Sequence, residues 1–410
     1  MREQTGPAET KRTLSSRAPL AEPEEDFSLV LGGPLYQLWR RLHAAGPALD
    51  LVGRRMIGIS LVAWLPLLMM TVYEGVATGH AVPVPFLYDF EAYVRFLVAI
   101  PLFLLAEVVV HQRLRPVVRS FVDAGIVTPE VLPGFQAAIA SAMRLRNSVA
   151  VELTLVVLVF GLGWMLGKEA LSLGTPTWYA VSDGAGQPLT AAGQWYIHVS
   201  IPIFQFLFLR WYFRLFIWFL FLWRVSRLDL RLTPSHPDRV GGLGFLSAGP
   251  IAFAPVILAQ SAVLSGLIGA RILFQGATLA SFRYEIAAFV ILELAAVLGP
   301  LCVFAPKLLA LKRQGRREYG ALAARYTREF HEKWIRGGAP ADEPLVGSAD
   351  IQSLADLANS YEVVRGMQAA PFGRDTIIQL AVPALVPLLP LALTVLPAEE
   401  ILKRLVGMLL

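Results

Sequence analysis

Five ionisable residues stand where charge is expensive. Glu107, Glu152, Arg210, Arg214 and Glu293 fall within stretches of the length a bilayer requires that are otherwise apolar. Each charge costs roughly 2.5–3.5 kcal/mol at the centre of an inserted helix, so each calls for a partner. Arg210 and Arg214 are one helical turn apart and share a face. Arg210 lies twelve residues before the end of its apolar stretch at 222, and Glu293 about thirteen before 306, so similar depth allows an Arg210–Glu293 pair if the two helices touch. Glu107 and Glu152 lie about four residues in from the same surface, within reach of Arg214. Such groups either fix helix register as ion pairs or line a path for an ion, a proton or an anionic substrate. Arginine does not readily give up its proton, so a relay would run through the glutamates.

A second concentration of chemistry follows the stretch that holds the arginines. Residues 227–245 read Arg-Leu-Asp-Leu-Arg-Leu-Thr-Pro-Ser-His-Pro-Asp-Arg-Val-Gly-Gly-Leu-Gly-Phe. His236, Asp238 and Arg239 precede Gly241, Gly242 and Gly244, and an apolar stretch begins directly afterwards. Glycines permit positive φ and close backbone approach, and amides opening a helix attract anions. The arrangement suits a phosphate or carboxylate, or else a tight re-entry turn locked to the bundle. It is neither a Walker nor a Rossmann motif, because no Gly-Lys-Ser/Thr follows and no strand precedes. The catalytic patterns Ser-His-Asp and His-Glu-x-x-His do not occur, and no metal set or cofactor is indicated. His111 and His198 belong to opposite ends of their stretches and cannot share one haem iron.

The elements that must position these residues follow from composition. The chain has 410 residues, 55% hydrophobic and 16% charged, against about 25% charged in a soluble domain. Mean hydropathy is +0.56. These values exclude an ordinary soluble protein and predict an all-α polytopic transmembrane bundle. Seven spans are expected at about 55–76, 93–111, 148–167, 196–222, 246–269, 285–306 and 376–396. The last carries Pro383, Pro387 and Pro390 and either crosses or dips in and returns. The single cysteine, Cys302, excludes a disulfide framework and a cysteine metal site.

Charge sets the orientation. Segments 28–55, 111–147, 223–244 and 306–373 hold 23 Lys and Arg, whereas 77–94, 168–194, 271–284 and 397–410 hold 5. The asymmetry alternates at every crossing and places the N-terminus in the cytoplasm. The net charge of +5 is thereby assigned to helix ends beside the membrane rather than to nucleic acid. Residues 1–33 read as a disordered tail, 34–306 as the bundle with an interfacial helix at its start, 307–373 as a cytoplasmic helical segment, and 374–410 as the last span and a short tail.

Within the cytoplasmic segment Tyr319, Leu322, Tyr326, Phe330 and Trp334 form one helical stripe. Ile351, Leu354, Ala358, Tyr361 and Val364 form another, with Asp350 placed to cap its helix. The stripes suit packing on neighbouring loops, a protein partner or anionic lipid. The 196–222 stretch is rich in aromatic rings, which suit dense packing and cation–π support of Arg210 and Arg214.

The run 353–365, Ser-Leu-Ala-Asp-Leu-Ala-Asn-Ser-Tyr-Glu-Val-Val-Arg, with Pro371-Phe372 after it and the 233–245 loop before it, resembles uncharacterised bacterial multi-pass inner-membrane proteins. That resemblance implies a bacterial inner-membrane setting and transfers no activity and no site residue. The leading expectation is a transporter or channel for an ion or small anionic solute, with homo-oligomerisation compatible. The others are a structural or signalling subunit that binds a partner through its cytoplasmic helices, and a membrane enzyme acting on a lipid or isoprenoid phosphate.

Overall fold

The computed structural model describes residues 27–33, 52–79, 82–172, 177–180 and 189–394, the side chains of 162–172 excepted. It is about 76% helical, and among the described residues there is no strand. Among the described residues six helices are long and apolar enough to cross a bilayer: α1 (Val52–Tyr73), α2 (Phe90–Asp123), α5 (Ala191–Ser226), α6 (Gly244–Gln275), α7 (Leu279–Ile335) and α9 (Arg374–Ala392). The amphipathic α3 (Leu132–Arg146) and the apolar α4 (Val149–Ser172) lie between α2 and α5, and α8 (Ala349–Arg365) precedes α9. The chain is a multi-pass membrane protein. The third expected span coincides with α4, which is apolar over Val149–Gly161 where its side chains are described.

Several helices outrun the expected spans. At 1.5 Å per residue, α2 with 34 residues is about 51 Å long and α7 with 57 is about 86 Å, against about 30 Å of hydrocarbon. The excess projects at one end of the bundle, where α1 and α4 begin and α2 and α5 end. It is called the basic end here, because the Lys- and Arg-rich segments gather there. Local chemistry sets the helix limits. The Asp89 carboxylate accepts the amides of Glu91 and Ala92 at the start of α2, and Thr190 Oγ1 accepts that of Gly193 in α5. Gly276, at φ 67°, stops α6 in the left-handed region.

Bulky rings fill the core. Trp211, Trp218, Phe103, Phe121, Phe253 and Phe304 are almost wholly buried. The amphipathic α3, not expected from the sequence, lies across the basic end with Phe135 edge-on to Phe221 of α5 at 5.9 Å. Residues 27–33 correct the expectation of a disordered tail as far as residue 33. Phe27 packs at 4.7 Å on Phe221, Ser28 Oγ bonds His111 Nδ1 at 2.9 Å, and the Gly33 amide donates to Asn147 Oδ1 at 2.8 Å. An apolar Phe-Ser-Leu-Val run gains more from the bundle than from water. Residues 1–26 and the expected interfacial helix at 34–42 lie outside the described residues.

Helix α9 is interrupted by a 3₁₀ turn at Val386–Leu388 but does not turn back within the described residues. Ser261 Oγ donates to Ala384 O at 2.6 Å, and Leu391 approaches Gly269, so α9 advances alongside α6 in the same direction.

Beyond the membrane, the end of α7 and α8 cover one another. Tyr326 Oη donates to Asp350 O at 3.1 Å, and Tyr361 lies against Gly320. Asp350 does not cap α8. Ser348 does, accepting the Asp350 amide at 3.2 Å. The Asp350 carboxylate instead accepts Lys333 Nζ and Trp334 Nε1, both at 2.9 Å, tying the helices together.

Candidate functional site

Four helices bring their charges to one place near the basic end. Glu107 stands 17 residues into α2, Glu152 is the fourth residue of α4, Arg210 and Arg214 come from α5, and Arg55 comes from the first turn of α1. Glu107 is the hub. Its Oε1 receives Arg214 Nη2 at 2.7 Å and Arg210 Nη1 at 3.3 Å, and its Oε2 faces Arg55 Nη1 at 3.3 Å. Arg210 Nη2 also reaches Glu152 Oε1 at 3.7 Å. The Arg214 guanidinium lies 4.5 Å from the Trp211 ring, in the cation–π contact that the aromatic stretch suggested. Arg55, Arg210, Arg214 and Glu107 are all buried, none more than 8% exposed.

The Arg210–Glu293 pair that similar depth allowed does not form; Arg210 pairs with Glu107 and Glu152. Equal depth was necessary but not sufficient: at 3.6 residues per turn, the arginines point to the α2 and α4 side of α5, and α7 lies on another side. Tyr212, between the two arginines, advances about 200° from each and faces α6 and α7. Its Oη lies 2.8 Å from Glu293 Oε1 and 2.8 Å from Gln260 Oε1, and Gln260 Nε2 is 3.5 Å from Glu293 Oε2. Glu293 is 1% exposed, and among the described residues no ion pair reaches it.

Sequence reading missed Arg55, Tyr212 and Gln260. Arg55 was counted only as a flanking charge, although its place at the first turn of a span was a signal. Tyr212 and Gln260 carry no formal charge and so stood out little in an apolar stretch.

Arg55 leaves the charged cluster incomplete. Its Nε and Nη2 are buried and, among the described residues, have no hydrogen-bond partner. Among the described residues the cluster holds three arginines and two glutamates, so positive charge exceeds negative by one there. Buried guanidinium N–H groups without acceptors are costly, and an anion would supply both the missing acceptors and the missing charge.

The 233–244 loop has settled the same need internally. Asp238 Oδ1 accepts the amides of Val240 at 2.9 Å and Gly242 at 3.1 Å, and Oδ2 accepts that of Gly244 at 2.8 Å. His236 Nδ1 stands 2.8 Å from Asp238 Oδ1. Gly241 and Gly242 adopt φ of 70° and 100°, a backbone that glycine takes freely, and Arg239 is itself at φ 59°. A Cβ at Gly244 would come within 3.0 Å of the Asp238 carboxylate. Burial raises the Asp238 pKa, but the amides of Val240, Gly244 and Gly242 outweigh it and hold the carboxyl below its ordinary value of 3.8.

The loop is docked as well as closed. Tyr319 Oη donates to Ser235 Oγ at 2.8 Å, the Gln368 amide donates to Arg239 O at 2.8 Å, and Lys307 Nζ donates to Leu228 O. The amides expected to hold a phosphate or carboxylate therefore hold Asp238. His236, Asp238, Arg239, Gly241, Gly242 and Gly244 are brought together as a turn that locks α5, α7 and α8.

Among the described residues no group of three His, Cys, Asp or Glu could hold a metal ion. No family model, curated protein or solved structure matches the chain.

Proposed function

We propose that the protein is a transporter of a small inorganic anion such as chloride or phosphate, with the Arg55–Arg210–Arg214–Glu107–Glu152 cluster as its anion site. The observation that carries this reading is the pair of buried Arg55 nitrogens that have no partner among the described residues, in a cluster whose described members carry one excess positive charge. Burial of the cluster favours a carrier over an open pore. An anion reaches Arg55 only when α1, α2 and α5 part, as in alternating access around an occluded site. The Lys and Arg asymmetry supports an N-terminus in the cytoplasm, and the resemblance to bacterial inner-membrane proteins supports that membrane as the setting. The cluster would then open toward the cytoplasm.

The test is flux. Full-length protein is placed in liposomes, and uptake of radiolabelled chloride and of inorganic phosphate is followed. Saturable uptake of one of them, reduced at least tenfold in Arg55→Met, supports the reading. Uptake of neither probe above empty liposomes, from protein that remains folded, overturns it and leaves the cluster as a device that fixes helix register.

A further inference from the structure

Glu293 differs from the other buried glutamates in what surrounds it. Glu107 and Glu152 are matched by arginines, whereas Glu293 meets only the Tyr212 hydroxyl and the Gln260 amide. Among the described residues Tyr212 of α5 is the one titratable group bonded to it. Helix α6 presents neutral Gln260, and α7 and α9 bring no charged side chain into an ion pair with it. A carboxylate so placed has no countercharge in a region that is 1% exposed.

Counting hydrogens sharpens the point. A tyrosine hydroxyl carries one proton and lies 2.8 Å from two oxygens, Gln260 Oε1 and Glu293 Oε1. If Tyr212 donates to Gln260, the short contact to Glu293 is satisfied when the carboxyl itself donates to the tyrosine oxygen. If the Gln260 amide is turned round, its nitrogen donates to Tyr212, and its oxygen then faces Glu293 Oε2 at 3.5 Å. A hydrogen on the carboxyl satisfies that contact too. Both arrangements close completely with one additional proton on Glu293.

We propose that Glu293, with Tyr212 and Gln260, is a proton-binding site whose loading and release is coupled to movement of the anion. This rests on the anion reading for the coupling but not for the proton site itself. The link is helix α5, which carries Arg210 and Arg214 on one face and Tyr212 on the other. A displacement of α5 that opens the arginine cluster also shifts the tyrosine against Glu293. In that step the Glu293 O–H bond breaks, and its proton passes to water on the side then exposed. It is replaced from water on the other side after the helix returns. No oxidant or reductant is required.

The first test is infrared spectroscopy of the full-length protein in lipid bilayers across a pH titration. The proposal expects a carboxylic acid C=O band that titrates and disappears in Glu293→Gln. The absence of such a band, or its persistence in that variant, overturns the proton site. Should Glu293→Gln fail to fold, Tyr212→Phe is read instead. Loss of one hydrogen bond should shift the band to higher frequency, and an unshifted band would contradict the triad.

The second test loads the liposomes with a pH dye and applies a gradient of chloride or phosphate. Proton movement that accompanies wild-type anion uptake, and falls to the empty-liposome level in Tyr212→Phe, supports coupling. Anion uptake with no proton movement overturns coupling. The infrared band without uptake of either anion would sink the anion reading while the proton site stands.

Discussion

Two regions of the molecule present converging N–H donors to an anion, and they have reached opposite outcomes. In the 233–244 loop three backbone amides find the carboxylate of Asp238, six residues or fewer away in the chain. In the membrane cluster, among the described residues, three arginines meet two glutamates, and Arg55 keeps two buried nitrogens without an acceptor. In the loop the amides and the carboxylate answer one another, whereas two Arg55 donors of the cluster find no acceptor among the described residues. A glycine-rich segment beside a histidine and an aspartate draws attention as a binding motif, yet its own aspartate is the occupant. Completeness of hydrogen bonding, rather than residue type, separates a lock from a site.

The comparison can be broken first at Glu107. Glu107→Gln leaves three buried arginines facing only Glu152, and stranding buried charge costs about 3–5 kcal/mol. Thermal unfolding in detergent should show the largest loss of any single change in the bundle. A loss no greater than that of a surface variant would mean that water reaches the cluster and that it is not dry.

The loop comes second. Asp238→Ala frees the amides of Val240, Gly242 and Gly244 and should cost about 2–3 kcal/mol, since hydrogen bonds to a charged group are among the stronger ones. Added acetate should restore part of the melting temperature by refilling the place of the lost carboxylate. Acetate that stabilises wild type and variant alike would show that the amides do not form an anion cradle.

Acid sharpens the same contrast. Because the folded Asp238 carboxyl is held below 3.8, the stability it lends is complete above that value and is lost as pH falls through the lower folded one. Hydrogen exchange at Gly242 and Gly244 should therefore stay slow through mildly acidic pH and accelerate only below the ordinary carboxylate range. Acceleration beginning well above 3.8 would contradict the shift.

The smallest expected effect on stability belongs to Arg55→Met, which removes the unpartnered donors and leaves two arginines against two glutamates. Glu107 Oε2 loses its 3.3 Å contact, but the charges that remain are balanced, so the loss should stay below the roughly 3–5 kcal/mol of stranding a buried charge. A loss as large as that of Glu107→Gln would make Arg55 a structural partner.

Much of the fold was legible in the sequence because the bilayer imposes a simple length rule. Six expected spans coincide with long apolar helices, and the third with α4. The α7 extension was legible as the helical stripe Tyr319–Trp334 but not as a continuation of the span, and the α2 extension was not legible. Polar residues continue α2 and α7 well past the hydrocarbon, and hydropathy falls silent there although the helix goes on. The membrane charges were legible as residues but not as partners. Depth can be counted along a chain, whereas the facing of α5 toward α2 and α4 is a property of the packed bundle. Arg214 met Glu107 as its reach allowed, and Arg210 met Glu107 and Glu152 instead of Glu293. The role of Asp238 was hidden for a different reason. Its acceptors and donors are adjacent in sequence, but only the positive φ of Arg239, Gly241 and Gly242 folds the amides back on it.

The most direct measurement compares anion binding by the two regions in one protein. Trp211 lies beside Arg214 and reports on the cluster, so its fluorescence in lipid nanodiscs can be followed as chloride or phosphate is added. Wild type and Asp238→Ala should show the same saturable change, and Arg55→Met should show none. A saturable change that survives in Arg55→Met, or one abolished by Asp238→Ala, would contradict the assignment of the anion site to the membrane cluster.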